Sequence, residues 1–144
     1  MCLSLSEKRL PSVAEHDIIC YKVLQFRKQA HWYFYETPYA EMLVSDRIIS
    51  GEENLKPWPE IRITGPMQNI SQGFIHTYTN LEHAKLQQAW LSEKQAWLNE
   101  IIRAYDIFKC IIPKGTKFYD GECFAGPEPV PGFASLEIKF IEKI

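Results

Sequence analysis

Most of the signals that announce chemistry in a small protein are missing from this chain. No apolar run reaches the roughly eighteen residues of a membrane helix, and the opening Met1-Cys2-Leu3-Ser4-Leu5-Ser6-Glu7-Lys8-Arg9 has no apolar centre for a secretory signal. Neither sign of charge dominates: 16 Lys and Arg stand against 18 Asp and Glu, a net charge of −2, so the basic stripe that grips a phosphate backbone is absent. These absences predict a cytoplasmic protein with neither a membrane nor a nucleic acid as partner. Walker loop, GxGxxG turn, HExxH helix and GxSxG elbow are all lacking, which excludes the familiar routes to phosphate cradles, zinc hydrolysis and serine nucleophiles; no cofactor and no metal is expected.

Cysteine is sparse, with 4 residues and no CxxC pair. Cys20 and Cys110 lie inside apolar, strand-like runs and read as reduced core thiols, whereas Cys123 is expected to be the most exposed. The lysines Lys114, Lys117, Lys139 and Lys143 gather late in the chain but alternate with Glu122, Glu137 and Glu142, the mark of an ordinary solvated face.

What is present is the composition of a globular domain: 144 residues, 46% apolar and 24% charged, enough for one core and read as a single domain over 1–144. The run from Ile18 to Phe26 is β-branched and aromatic without Gly or Pro, and predicts a strand; His31–Tyr35 follows as its hairpin partner. Thr37-Pro38 matches the start of a short helix, Ile61–Thr64 a short strand, and Gly73–Tyr78 another. Thr79-Asn-Leu-Glu82 reads as a capping box in which Thr79 bonds the Glu82 amide, opening a helical segment over about 80–104, as one helix or two, with Leu86, Trp90, Trp97, Leu98 and Ile101 on its apolar face.

Beyond Asp106 the pattern becomes strand, a Pro113-Lys114-Gly115 turn, strand, an Asp120-Gly121 turn, a proline-rich loop over Gly126–Gly132 and a terminal strand in which Leu136, Ile138 and Phe140 alternate with Glu137 and Lys139. The fold class is therefore α+β: a twisted antiparallel sheet with one main helical segment. Its predicted core comprises Tyr21, Val23, Trp90, Trp97, Ile101, Ile111, Ile138 and Phe140.

Two segments, Gly73-Phe-Ile-His-Thr-Tyr-Thr-Asn-Leu-Glu-His-Ala-Lys85 and Cys110-Ile-Ile-Pro-Lys-Gly-Thr-Lys-Phe-Tyr-Asp-Gly121 with Ala134–Ile144, resemble a group of short uncharacterised proteins of gut bacteria and their phages. The resemblance covers about half the chain and implies an element order, not an activity. This chain departs from the group in its longer helical stretch around Trp90–Tyr105 and in the Gly126–Gly132 loop. A remoter likeness to ADP-ribosyltransferase-like folds rests on element order alone.

Four residues stand out as site candidates. His76 closes a strand and His83 lies in the first turn of the next helix, where both could face one crevice and share a proton or a metal. Trp58, set between Pro57 and Pro59, is barred from a helix interior and either docks on the body or marks a ligand surface. Glu137, with Glu142, offers a late carboxylate on the terminal strand. Two functions follow: a non-enzymatic accessory or interaction protein of phage or mobile-element type, whose exposed aromatics Trp58, Phe124 and Phe133 meet an unknown protein partner, or a small ADP-ribosyltransferase-like enzyme using His76 and a late glutamate.

Overall fold

A computed structural model of the chain describes residues 3–5, 10–29, 32–36, 41–42, 47–50, 68–70, 74–97 and 104–144. Trp58, the Thr37-Pro38 helix start, the Ile61–Thr64 strand, Leu98 and Ile101 lie outside them, as does the side chain of Trp97. Within them the chain runs β1 (Leu3–Leu5), β2 (Ser12–Val13), β3 (Ile18–Gln29), β4 (Trp32–Glu36), β5 (Glu41–Met42), β6 (Ile48–Ser50), β7 (Gln68–Ile70), β8 (Ile75–Tyr78), α1 (Leu81–Trp97), β9 (Ala104–Ile112), β10 (Lys117–Ala125), β11 (Glu128–Ser135) and β12 (Glu137–Lys143). The strands form an open, antiparallel sheet in the order β6-β12-β9-β3-β8-β11-β10-β1-β7, with β2 beside β10 and β4 and β5 continuing outward from β3. The class is broadly α+β and mainly β.

The β-branched run of β3 pairs with β9 from Ile18↔Ile112 to Phe26↔Ala104 without a break in register. Side chains of a strand alternate between faces, so this ladder builds two cores at once. Tyr21, Val23 and Ile107 join Tyr78, Tyr119, Cys123, Val130 and Ala134 beneath Ala84 and Leu81 of α1. Cys20, Leu24, Phe108, Cys110 and Ile112 join Ile49, Ile75, Ile138 and Phe140 on the opposite face. Edge-to-face contacts between Phe108 and Phe140 (5.4 Å) and between Phe118 and Phe133 (5.8 Å) lock this second cluster. Of the predicted core, Ile138 and Phe140 are buried, while Tyr21, Val23, Trp90 and Ile111 are only partly so.

Five local expectations are corrected. Asp120-Gly121 makes no turn and Gly126–Gly132 is not a loop: β10 runs straight through to Ala125, and the chain reverses at Gly126-Pro127 into β11. Proline survives in β11 because β8 pairs only with Gly132–Ser135, so Pro129 and Pro131 lie beyond the β8 ladder, where a missing N–H costs no ladder bond. Cys123 is not the exposed cysteine, since β10 turns it into the core under α1, fully buried. The cap of α1 is Asn80, whose Oδ1 accepts from the His83 amide at 3.0 Å, one residue later than the Thr79 box predicts.

The fifth correction concerns the helix phase. Leu86 is 45% exposed, and α1 presents Leu81 and Ala84 to the sheet instead. Polar clamps complete the contact: Gln88 Nε2 donates to the Tyr105 carbonyl and the Gly126 amide donates to Gln87 Oε1, both at 2.6 Å. Gly126 can sit there because its φ of 62° suits glycine and because a Cβ would come within 2.9 Å of the Trp90 ring.

Gly132 meets the tightest constraint, since a Cβ there would fall 2.5 Å from Cys123 Sγ and 3.2 Å from the Thr77 carbonyl. Gly132→Ala should cost about 1–3 kcal/mol of stability by overpacking. In urea denaturation the double variant Gly132→Ala/Cys123→Ala should lose less than the sum of the two single losses. Strict additivity would show that the clash does not involve the thiol.

Candidate functional site around Lys22 and His76

β8 lies between β3 and β11, and the two ladders differ in length. Against β11 it pairs from Gly132↔Tyr78 to Ser135↔Ile75, but against β3 it pairs only at Tyr21↔Tyr78. Counting along the antiparallel strands, Lys22 stands level with Thr77. Here Lys22 Nζ donates to the His76 carbonyl at 2.6 Å, supplying a donor to a strand carbonyl in the core. The lysine is 8% exposed and its face is that of Cys20 and Leu24.

Burial sets the titration of this region. It pushes Lys22 down to about 8, against a smaller opposite influence of the Cys110, Cys20 and Cys123 thiols. His76 falls to about 3, through burial first and the nearby Lys22 charge second, and is therefore neutral at physiological pH. Cys20 rises to about 11 and Cys123 to about 12, and Cys110 rises further still, all chiefly through burial. All three are free thiols, and protonated thiols are poor nucleophiles and poor metal ligands.

His76 is direct partner to Ala134 and so faces the α1 side of the sheet, where His83, on the first turn of α1, neighbours the buried Ala84. The Nδ1 atoms of both His76 and His83 are buried without a hydrogen-bond partner. Among the described residues no group of three or more His, Cys, Asp and Glu is close enough to hold a metal ion. Glu137 is on β12, separated from β8 by β9 and β3, three strand spacings or about 14 Å away across the sheet. Trp58 lies outside the described residues. Of the other aromatics, Phe124 is 54% exposed, but Phe133 packs on Phe118 and is not an open surface residue.

The residue that candidate reading overlooked is Lys22. Its signal was present: in Cys20-x-Lys22-x-Leu24 it is the single charge on the inward period of an apolar strand.

A surface feature accompanies the buried one. Ile48↔Lys139, Lys139↔Ile111 and Ile111↔Ile19 are successive cross-strand partners, so these four side chains form one row across β6, β12, β9 and β3. α1 packs over Tyr21, Val23 and Ile107 on this same face, yet Ile19 remains 51% and Ile48 47% exposed. Ile141, the extra residue of a bulge between Phe140 and Glu142, is 49% exposed nearby. A Lys109–Glu142 ion pair at 3.9 Å borders the row.

No protein-family model, curated protein or solved structure matches this chain. Among the described residues no helix is long and apolar enough to cross a membrane.

Two pH effects follow. Lys22 has an ordinary value of 10.5 and a folded value of about 8, so between these the unfolded chain binds more protons and stability rises with pH; below about 8 the penalty is full. Above pH 9 the raised thiols of Cys20, Cys110 and Cys123 act in the opposite sense and lower stability in any variant that keeps them, so the Lys22 effect is read as a difference: in urea denaturation at low salt the wild type should gain stability relative to Lys22→Met between pH 8 and 10.5. For His76 the folded value of about 3 lies below the ordinary 6.5, so its contribution is complete above 6.5 and is lost as pH falls towards 3. His76→Gln should flatten this part of the acid limb, and an unaltered limb would show that His76 charges freely in the folded protein.

Proposed function

We propose that this is a non-enzymatic interaction protein, of the phage or mobile-element kind that its sequence resemblance implies, and that it meets a protein partner through the sheet face beside α1. The observation that carries the reading is the Ile48–Lys139–Ile111–Ile19 row. Two of its three isoleucines are about half exposed, and the row is continuous across four strands instead of scattered. Contiguous apolar surface with a charged border is what protein interfaces use: the apolar centre loses water on contact and the border fixes register. Lys139 within the row, with Lys109, Glu142 and Glu137 around it, gives that border both signs of charge.

The competing reading, an ADP-ribosyltransferase-like enzyme, requires His76 and a late glutamate to act on one substrate atom. The buried, neutral state of His76 and the two strands between it and Glu137 weigh against such a pair.

A photo-crosslinking residue placed at Ile19 or at Ile48 should yield one discrete protein adduct in extracts of the producing cells. The exposed hairpin position Glu128 should not. Ile19→Glu with Ile48→Glu should abolish adduct formation from Ile111 while changing stability by no more than about 0.5 kcal/mol per substitution, as expected of surface sites. Adducts no different from those at Glu128 would overturn the reading.

A further inference from the structure

The polar groups buried around Lys22 have an excess of donors. One N–H of its ammonium goes to the His76 carbonyl. Among the described residues the groups that act on its charge are the Cys110, Cys20 and Cys123 thiols, all protonated, and no carboxylate is among them. Thr77, level with Lys22 on the neighbouring strand and 0% exposed, has a hydroxyl that makes no ordinary hydrogen bond and meets only the weak polar contact of the Cys20 thiol. The apolar side chains of Leu24, Ile75 and Phe108 line this face, and the Phe108 carbonyl is engaged by the Cys110 thiol.

A buried cation without a counter-charge costs several kcal/mol, and a buried hydroxyl without a partner adds to that cost. Loss of the ammonium proton cures the first problem only in part, because the amine then offers a single lone pair to several donors. One compact acceptor carrying a negative charge satisfies the ammonium and the hydroxyl together.

We propose that Lys22, Thr77 and Cys20 form a buried site for one small monovalent anion, a halide such as chloride or bromide. The anion neutralises the ammonium and accepts from the Thr77 hydroxyl and the Cys20 thiol. It takes its place as β3 and β8 come together, so its binding is linked to folding.

The test uses the whole chain and bromide, at ionic strength held constant with gluconate. Above saturation each tenfold rise in free bromide should raise the folding equilibrium constant of the wild type up to tenfold, the signature of one anion bound to the folded state alone. Lys22→Met should fold with no bromide dependence, and Thr77→Val should need more bromide for the same gain. If Lys22→Met does not fold, bromide-soaked crystals of the wild type decide the matter: an anomalous peak beside Lys22 Nζ supports the site and an empty position there overturns it. A bromide effect of equal size in wild type and Lys22→Met, or none in the wild type, also overturns it.

Discussion

The ladder between β3 and β9 is the contact on which everything else in the molecule depends. It carries unbroken register from Ile18↔Ile112 to Phe26↔Ala104, and it contributes to the core on both of its faces, leaving Ile19 and Ile111 at one end of the α1 side less covered. A strand that feeds a core on both faces is apolar on both periods, which is why Ile18–Leu24 of β3 and Ile107–Ile112 of β9 read as Ile, Val, Leu, Phe, Tyr and Cys broken only by Lys22 and Lys109. Each neighbour then takes its place from one of these two strands: β12 from β9, and β4 and β8 from β3. β6 follows from β12, and β11 with β10 from β8.

The helix shows the reverse dependence. Its apolar contribution is slight, and what holds it is a set of hydrogen bonds to places that exist only once the sheet has formed. Gln88 needs the Tyr105 carbonyl on β9, and Gln87 needs the Gly126 amide at the tip of the β10–β11 hairpin. The Tyr78 hydroxyl, donating to the Phe124 carbonyl at 2.8 Å, ties the same hairpin to β8. Single hydrogen bonds of this kind contribute about 0.5–1.5 kcal/mol each, so the seating of α1 rests on their acting together with the glycine that lets Trp90 approach.

Sequence patterning revealed those parts of the fold in which hydrophobic period and local propensity agree. β3, its hairpin with β4, β8 and the alternating β12 belong to this group. The β10–β11 hairpin was hidden because Gly and Pro usually mark loops, and only the truncated partner strand β8 explains why Pro129 and Pro131 are tolerated in a ladder. The phase of α1 was hidden for a related reason: tryptophan and leucine dominate any apolar count, whereas the buried contact centres on the small Ala84 beside Leu81 and is completed by two glutamines. At the candidate site, His76 and His83 were visible by residue type alone. Lys22 was marked only by its place in Cys20-x-Lys22-x-Leu24; a lysine in a strand is ordinarily solvated, and its burial follows from β8 and β9 lying on either side of it.

The bulge at Ile141 bears on how the protein survives at high concentration. β6 pairs only with Glu137–Lys139, so among the described residues the rest of that flank of β12 is open backbone, next to exposed isoleucines. A flat open strand of that kind would template the stacking of further chains into fibrils. The extra residue at Ile141 breaks the repeat of hydrogen-bonding groups, and Glu142 and Lys143 place opposite charges along it. The chain can therefore keep apolar side chains in water while denying this stretch of backbone to the addition of further strands.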